Sequence, residues 1–176
     1  MTMEASIANL LRNRGAEGID HPGGTLYAHL ERVQHRLARL GAPRSVQLAA
    51  RTHAVYGTDG FEVTLLRLDE RKVLSNLIGA DAEQLVYRYG GCDRNRTWDF
   101  LADTGRVWNR FTGVSEKLED ADLRAFADLS LVNEVDVAEH APGFLSHHGQ
   151  YFRRLIDSWA PLLSSSVLTD ARRVFG

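Results

Sequence analysis

Several things this chain lacks narrow what it can be. It has a single cysteine, Cys92, so no disulfide can form within it. Lys and Arg number 21 against 23 Asp and Glu, a formal net charge of −2, so there is no basic excess to mark a nucleic-acid surface. No apolar run approaches the roughly 18 residues that a membrane span needs. Met1–Leu11 has no basic stretch ahead of an apolar core and does not read as a signal peptide. Repeats, low-complexity tracts and a convincing linker are absent too. With 176 residues, 44% of them hydrophobic, the chain can bury a real core. The expectation is one domain over residues 1–176, in the cytoplasm, acting on a small molecule. Nucleic acid and membrane are not expected as partners, and self-association stays open.

The apolar pattern is helical nearly throughout. Met3–Arg14 places Ile7, Leu10 and Leu11 on one side. His21-Pro22-Gly23-Gly24 is a turn, and Thr25 is placed to cap a helix that runs to about Leu40. That helix carries the stripe Leu26, Leu30, Val33, Leu37 and Leu40, with His29 on the same face. Gly41 ends it. Pro43 opens a helix with Val46, Ala49, Ala50 and His53 at helical spacing, stopping at Gly57. Thr58–Leu68 reads as a loop anchored by Phe61 and Val63. Asp69 caps a helix to Ile78, with Val73, Leu74 and Leu77 inward. Asp81 starts another, ending at Gly90 and Gly91.

Cys92–Gly113 reads as irregular, with one short strand allowed at Arg106–Phe111. A stretch that long without helical period points to function. Helices follow over Asp120–His140, with Phe126, Leu129, Val132 and Val137 as core residues, then His147–Leu163 and Ser166–Val174. The class expected is all-α.

Chemistry is suggested at few places. His29 and His53 sit within apolar helical patterns, and Asp136 lies in a third apolar run. Imidazole and carboxylate are ordinary metal ligands, and burying them without partners is costly. Against this stands the ordinary fate of a core histidine, a hydrogen bond and nothing more. Asn133, Asp136 and His140 share a helix face, so Asp136 is either a ligand or the orienting partner of His140. Glu134 points elsewhere and reads as solvated or supporting.

His21 either folds back over the pocket or is an exposed turn residue, the second being slightly favoured. His147 and His148 read as surface residues, and Cys92 as structural. Tyr56-Gly57-Thr58-Asp59-Gly60 is a tight turn directly after His53. It places Tyr56 and Asp59 as catalytic candidates and Thr58 as a substrate contact. Arginines 71, 88, 94, 96, 106 and 110 gather around the irregular stretch. They either hold an anion, with Arg106 and Arg110 as the clamp, or pair with Asp93, Asp99 and Asp103 on a solvated face.

These residues resemble the HD-domain superfamily of metal-dependent enzymes. His29 matches its first histidine, Leu48–His53 the run into its His-Asp pair, and Asp136 its last aspartate. Leu77–Val86 is similar to the segment after that pair in the guanosine-tetraphosphate hydrolase branch. His53-Ala54-Val55-Tyr56-Gly57-Thr58, with the later Asn133-Glu134-Val135-Asp136, also resembles an uncharacterised bacterial subfamily. The likeness spans roughly residues 21–140.

It implies a single-domain HD-like helical bundle and a metal-dependent hydrolase of a small phosphorylated or nucleotide-like metabolite. A divalent ion (Fe, Mn or Zn) would be held by His29, His53 and Asp136. The alternatives are a non-haem iron oxygenase of the same superfamily, or a metal-free HD-like enzyme or binding module. The departure is Ala54, where the superfamily has a ligating aspartate. His21 or Asp59 restores the set, or one ion is held by His29, His53, Asp136 and water, or metal has been lost.

Overall fold

A computed structural model describes all 176 residues, and 68% of them are helical. The only sheets are two two-stranded hairpins, so the class is all-α. The chain divides into two compact units, Met1–Gly91 and Cys92–Gly176.

The first unit opens with α1 (Met3–Asn13), whose N-cap Thr2 hydroxyl accepts from the Ala5 amide at 3.2 Å. A two-residue hairpin follows, β1 (Asp20–His21) against β2 (Gly24–Thr25), in antiparallel register with His21 opposite Gly24. Thr25 then caps α2 (Leu26–Arg39), its hydroxyl accepting from Ala28 N at 3.2 Å, as the sequence predicts. Leu26, Leu30, Val33 and Leu37 are fully buried along one face of α2, which packs on α3 (Arg44–Thr52). Each such side chain contributes about 1.5–3 kcal/mol by leaving water.

α3 ends at Thr52 rather than Gly57. The Thr52 hydroxyl donates back to Leu48 O at 3.0 Å, and the next turns tighten through Val55 N→Thr52 O and Gly57 N→Ala54 O. Both Leu65 and Leu66 amides donate to Val55 O, which draws the following loop onto this corner. Phe61 is only half-buried and Val63 is exposed, so Leu65 and Leu66 are the anchors instead.

A short turn, Leu68–Glu70, leads into α4 (Arg71–Ile78), and α5 (Ala80–Gly91) packs on both α3 and α4. Glu70 rather than Asp69 receives the Arg67 amide, at 2.9 Å. Val73, expected inward, is exposed, while Leu74 is buried.

The second unit folds the stretch expected to be irregular. Asp93 caps α6 (Arg94–Thr97) by accepting from Arg96 N at 3.0 Å. A short turn, Trp98–Phe100, and α7 (Leu101–Thr104) follow. Gly105 ends α7 at φ 60°, and a Cβ there would lie 2.8 Å from Lys117 Nζ. β3 (Arg106–Asn109) then pairs antiparallel with β4 (Val114–Lys117), a strand the sequence reading does not contain.

α8 (Asp120–His140) has the bounds expected and is buried on nearly every side. α9 (Phe144–Trp159) begins and ends earlier than predicted, closing before Pro161, and α10 (Ser165–Phe175) packs on α8 and α9. Trp159 is fully buried, its indole N–H donating to Trp98 O at 3.1 Å. No helix is long and apolar enough to cross a membrane.

Candidate functional site

Three histidines of the first unit form one ring cluster. His29, on the buried face of α2, is 1% exposed, and His53, at the C-cap of α3, is 2% exposed. Their rings lie edge to face, centroids 5.2 Å apart. The β1–β2 hairpin lays His21 flat on the other side of His29, 3.9 Å between centroids and 23° between planes. Phe61 meets the His21 ring edge-on at 5.4 Å, and Tyr89 of α5 meets His53 at 5.1 Å. His21 is therefore a folded-back, half-buried member of the cluster, not an exposed turn residue. Tyr89 follows the buried Leu85 and Val86 on the inner face of α5.

The local fold sets the tautomer of His53. Its Nδ1 lies 2.7 Å from Ala50 O, which can only accept, so Nδ1 carries the proton. In the neutral ring Nε2 is the basic nitrogen, the arrangement by which histidines are oriented for proton transfer or ligation.

The turn after His53 is built for holding rather than reacting. Tyr56 is buried and its hydroxyl donates to Glu83 Oε1 at 2.8 Å. Burial, with Glu83 beside it, pushes the phenol well above its ordinary range. Arg71 grips both oxygens of the same carboxylate, 2.7 Å each, and lies over the Tyr87 ring at 3.7 Å. Glu83, which the sequence reading passes over, is thus the hub of the corner. Its sequence signal is an acid set between Ala82 and Leu85 in an apolar pattern. Thr58 is buried, and paired backbone bonds between Thr58 and Phe61 close the turn, with Asp59 half-buried near its tip.

The remaining expected residues belong to the second unit. Asp136 is 2% exposed on α8, and His140 Nδ1 donates to its backbone carbonyl at 2.7 Å, with Asp136 Oδ1 3.5 Å away. Arg106 and Arg110 lie on and just after β3. Arg106 is exposed and donates to Ser115 Oγ at 2.9 Å and Ser115 O at 3.2 Å, across the hairpin. Arg110 stacks on Phe111, 4.9 Å to the ring centre. Glu134, expected to be solvated or supporting, is 5% exposed and faces Arg94 NH1 at 3.0 Å. Cys92 is buried and His147 and His148 are exposed.

Two of the donors have the spacing of a shared metal site and the third does not. Two imidazoles sharing one tetrahedral ion would have ring centres about 5 Å apart at ordinary metal–nitrogen distances, which His29 and His53 match. His21 does not join them, because near-parallel stacked rings cannot aim their in-plane lone pairs at one point. Nowhere in the chain are three His, Cys, Asp or Glu side chains gathered to hold an ion. Ala54, buried at 2% exposure, supplies no donor where the HD pattern has its aspartate.

Residues 10–94 match the profile of a domain of unknown function, DUF6817. The match takes in 85 of the 176 residues and stops within three residues of the end of the first unit. No curated protein and no solved structure matches the chain.

Proposed function

We propose that the chain is an HD-like hydrolase of a small phosphorylated or nucleotide-like metabolite, with the His29–His53 imidazole pair as its chemical centre. One observation carries this: two histidines almost fully buried against each other, one with its tautomer fixed by a backbone carbonyl. The substrate class comes from the HD resemblance, not from the geometry.

In this reading His53 Nε2 takes a proton from the attacking water as the new oxygen–phosphorus bond forms. The bond to the leaving oxygen breaks, and the proton is returned there. A positioned imidazole of this kind is worth about 10²–10⁴ in rate. His29 packs against the His53 ring and fixes its orientation. Tyr56, already committed to Glu83, holds the corner and handles no proton.

The second reading adds one divalent ion, Fe, Mn or Zn, on His29 and His53. It is favoured by their 5.2 Å separation. The ion would supply Lewis acidity and an activated water. One experiment decides among these. Purified protein is screened against phosphorylated metabolites before and after chelation, with its metal content measured. Turnover that survives chelation and falls roughly a hundredfold or more in His53→Gln supports the imidazole reading. Turnover lost on chelation and restored by one ion supports the metal reading. No turnover of any substrate in the panel overturns the hydrolase assignment.

A further inference from the structure

The second unit holds a cleft of about 390 Å³ that the histidine chemistry does not use. Such a volume is at the small end for ligand sites and suits a single ring system rather than a dinucleotide. Its apolar walls are aromatic: Trp98, Phe144, Tyr151 and Phe152. Phe144 and Phe152 are 5.6 Å apart and Trp98 and Phe152 6.1 Å, and Trp98 is locked further by Trp159 at 5.7 Å. The Tyr151 hydroxyl donates to Asp99 Oδ1 at 3.1 Å, which fixes that ring at the rim.

Two charged groups converge inside. Glu134 is 5% exposed, and Arg94 NH1 and Asn133 Nδ2 each lie 3.0 Å from its Oε1. The carboxylate lines the cleft and brings acceptor oxygens to it. Arg94 lies over the Trp98 ring at 4.7 Å, which holds its planar fork of donors beside that carboxylate. A buried carboxylate acceptor next to an arginine donor complements an edge bearing an N–H beside a carbonyl. The aromatic walls complement a flat ring.

We propose that this cleft binds a planar nitrogen heterocycle through a lactam edge of the guanine type, its N–H groups on Glu134 and its carbonyl oxygen on Arg94. An organic cation fits less well, because Arg94 already occupies the cation's place over Trp98. The proposal is independent of the hydrolase reading, since every residue in it belongs to the second unit.

The test is titration of the full chain with guanosine, adenosine and tetramethylammonium, followed by tryptophan fluorescence and calorimetry. Expected is saturable binding of guanosine, weaker binding of adenosine and none of tetramethylammonium. Phe144→Ala, which removes one wall, should weaken guanosine roughly tenfold. Glu134→Gln should erase the preference for guanosine over adenosine. Thermal unfolding of each variant checks that it is folded, and if Glu134→Gln is not, Phe144→Ala alone carries the decision. Three results overturn the proposal. They are no saturable guanosine binding, binding that Phe144→Ala leaves unchanged, and tetramethylammonium binding in preference to guanosine.

Discussion

The two units differ in where most of their buried polar groups sit. In Met1–Gly91 several sit at helix ends and corners: His53 at the end of α3, Tyr56 just beyond it, half-buried His21 on a hairpin, Glu83 in the first turn of α5, while Gln34 and Arg36 are buried within α2. In Cys92–Gly176 most of them sit along one helix, where Asp128, Ser130, Asn133, Glu134 and Asp136 of α8 are all buried, with Thr97 at the end of α6 as the exception. Corners leave backbone carbonyls and amides unused, so a buried side chain finds a partner close by, as His53 does in Ala50 O. A mid-helix residue has no such groups beside it, because the helix has already paired them. Its side chain reaches another element, as Glu134 does to Arg94 of α6 and Asp128 to the Ser164 amide at the head of α10, or a neighbour on its own helix, as Asn133 does to Glu134. Ser130 Oγ reaches none and is buried without a hydrogen-bond partner.

The sharpest way to break this contrast is to remove the hub of the first unit. Glu83→Ala strips Arg71 and Tyr56 of their shared carboxylate, and breaking a buried ion pair costs about 3–5 kcal/mol. Arg71 is a third exposed, so the lower end is expected. Glu134→Ala in the second unit should cost less, about 1.5–3 kcal/mol, because its carboxylate loses charge-assisted bonds from Arg94 and Asn133 but no two-oxygen arginine grip of the kind Glu83 has. Urea unfolding of both variants measures the order; equal losses would mean that the two units tolerate polar burial alike.

Next in size is Tyr56→Phe. It deletes one hydrogen bond to a charged acceptor and leaves the Arg71–Glu83 fork in place, a loss of about 1.5 kcal/mol. The same variant sharpens the site assignment. If Tyr56 only holds the corner, turnover per folded molecule stays at the wild-type level.

The two remaining outcomes concern pH and have opposite signs. Burial raises Asp128 above the ordinary carboxylate range. The folded state therefore holds its proton more tightly than the unfolded one, and stability falls as pH rises through the raised value. Asp128→Asn cannot lose that proton, so its stability should fall less over the same window, as thermal unfolding at a series of pH values would show.

Glu70 is the reverse. The Arg14 guanidinium, aided by the Arg67 amide, lowers its carboxyl, so its contribution is present above the ordinary carboxylate range and lost as pH falls through the lowered value. The group is solvent-screened, and Glu70→Gln should shift only the acid limb of the unfolding curve, and slightly.

Much of this was legible where residues punctuate. Thr25 as a cap, Gly41 as a stop and the full span of α8 follow from side chains whose local physics is strong. The end of α3 was not legible, because His53-Ala54-Val55-Tyr56 continues the apolar period and only contacts from Leu65 and Leu66 turn the chain away. The segment from Cys92 to Gly113 failed for another reason. Helices of four residues, such as α6 and α7, are too short to show any period. At the site, the inward histidines were visible from their apolar neighbours, but Glu83 was not, and Glu134 only as an acid that was solvated or supporting. An acid inside a helix reads as solvated until its arginine is seen, and Arg71 and Arg94 lie 12 and 40 residues away in sequence.

The hairpin that carries His21 has one further property. Thr25 is at once the partner of Asp20 in the β1–β2 ladder and the residue whose hydroxyl caps α2. One residue later the Leu26 amide, the first of the helix, is held by Ile19 O at 2.8 Å. The His21 ring therefore has no independent hinge. Its position against His29 is indexed to the first turn of the helix that carries His29, so the two rings move as parts of one body. Lifting His21 away means fraying α2 from its start, and the stack is as durable as that turn.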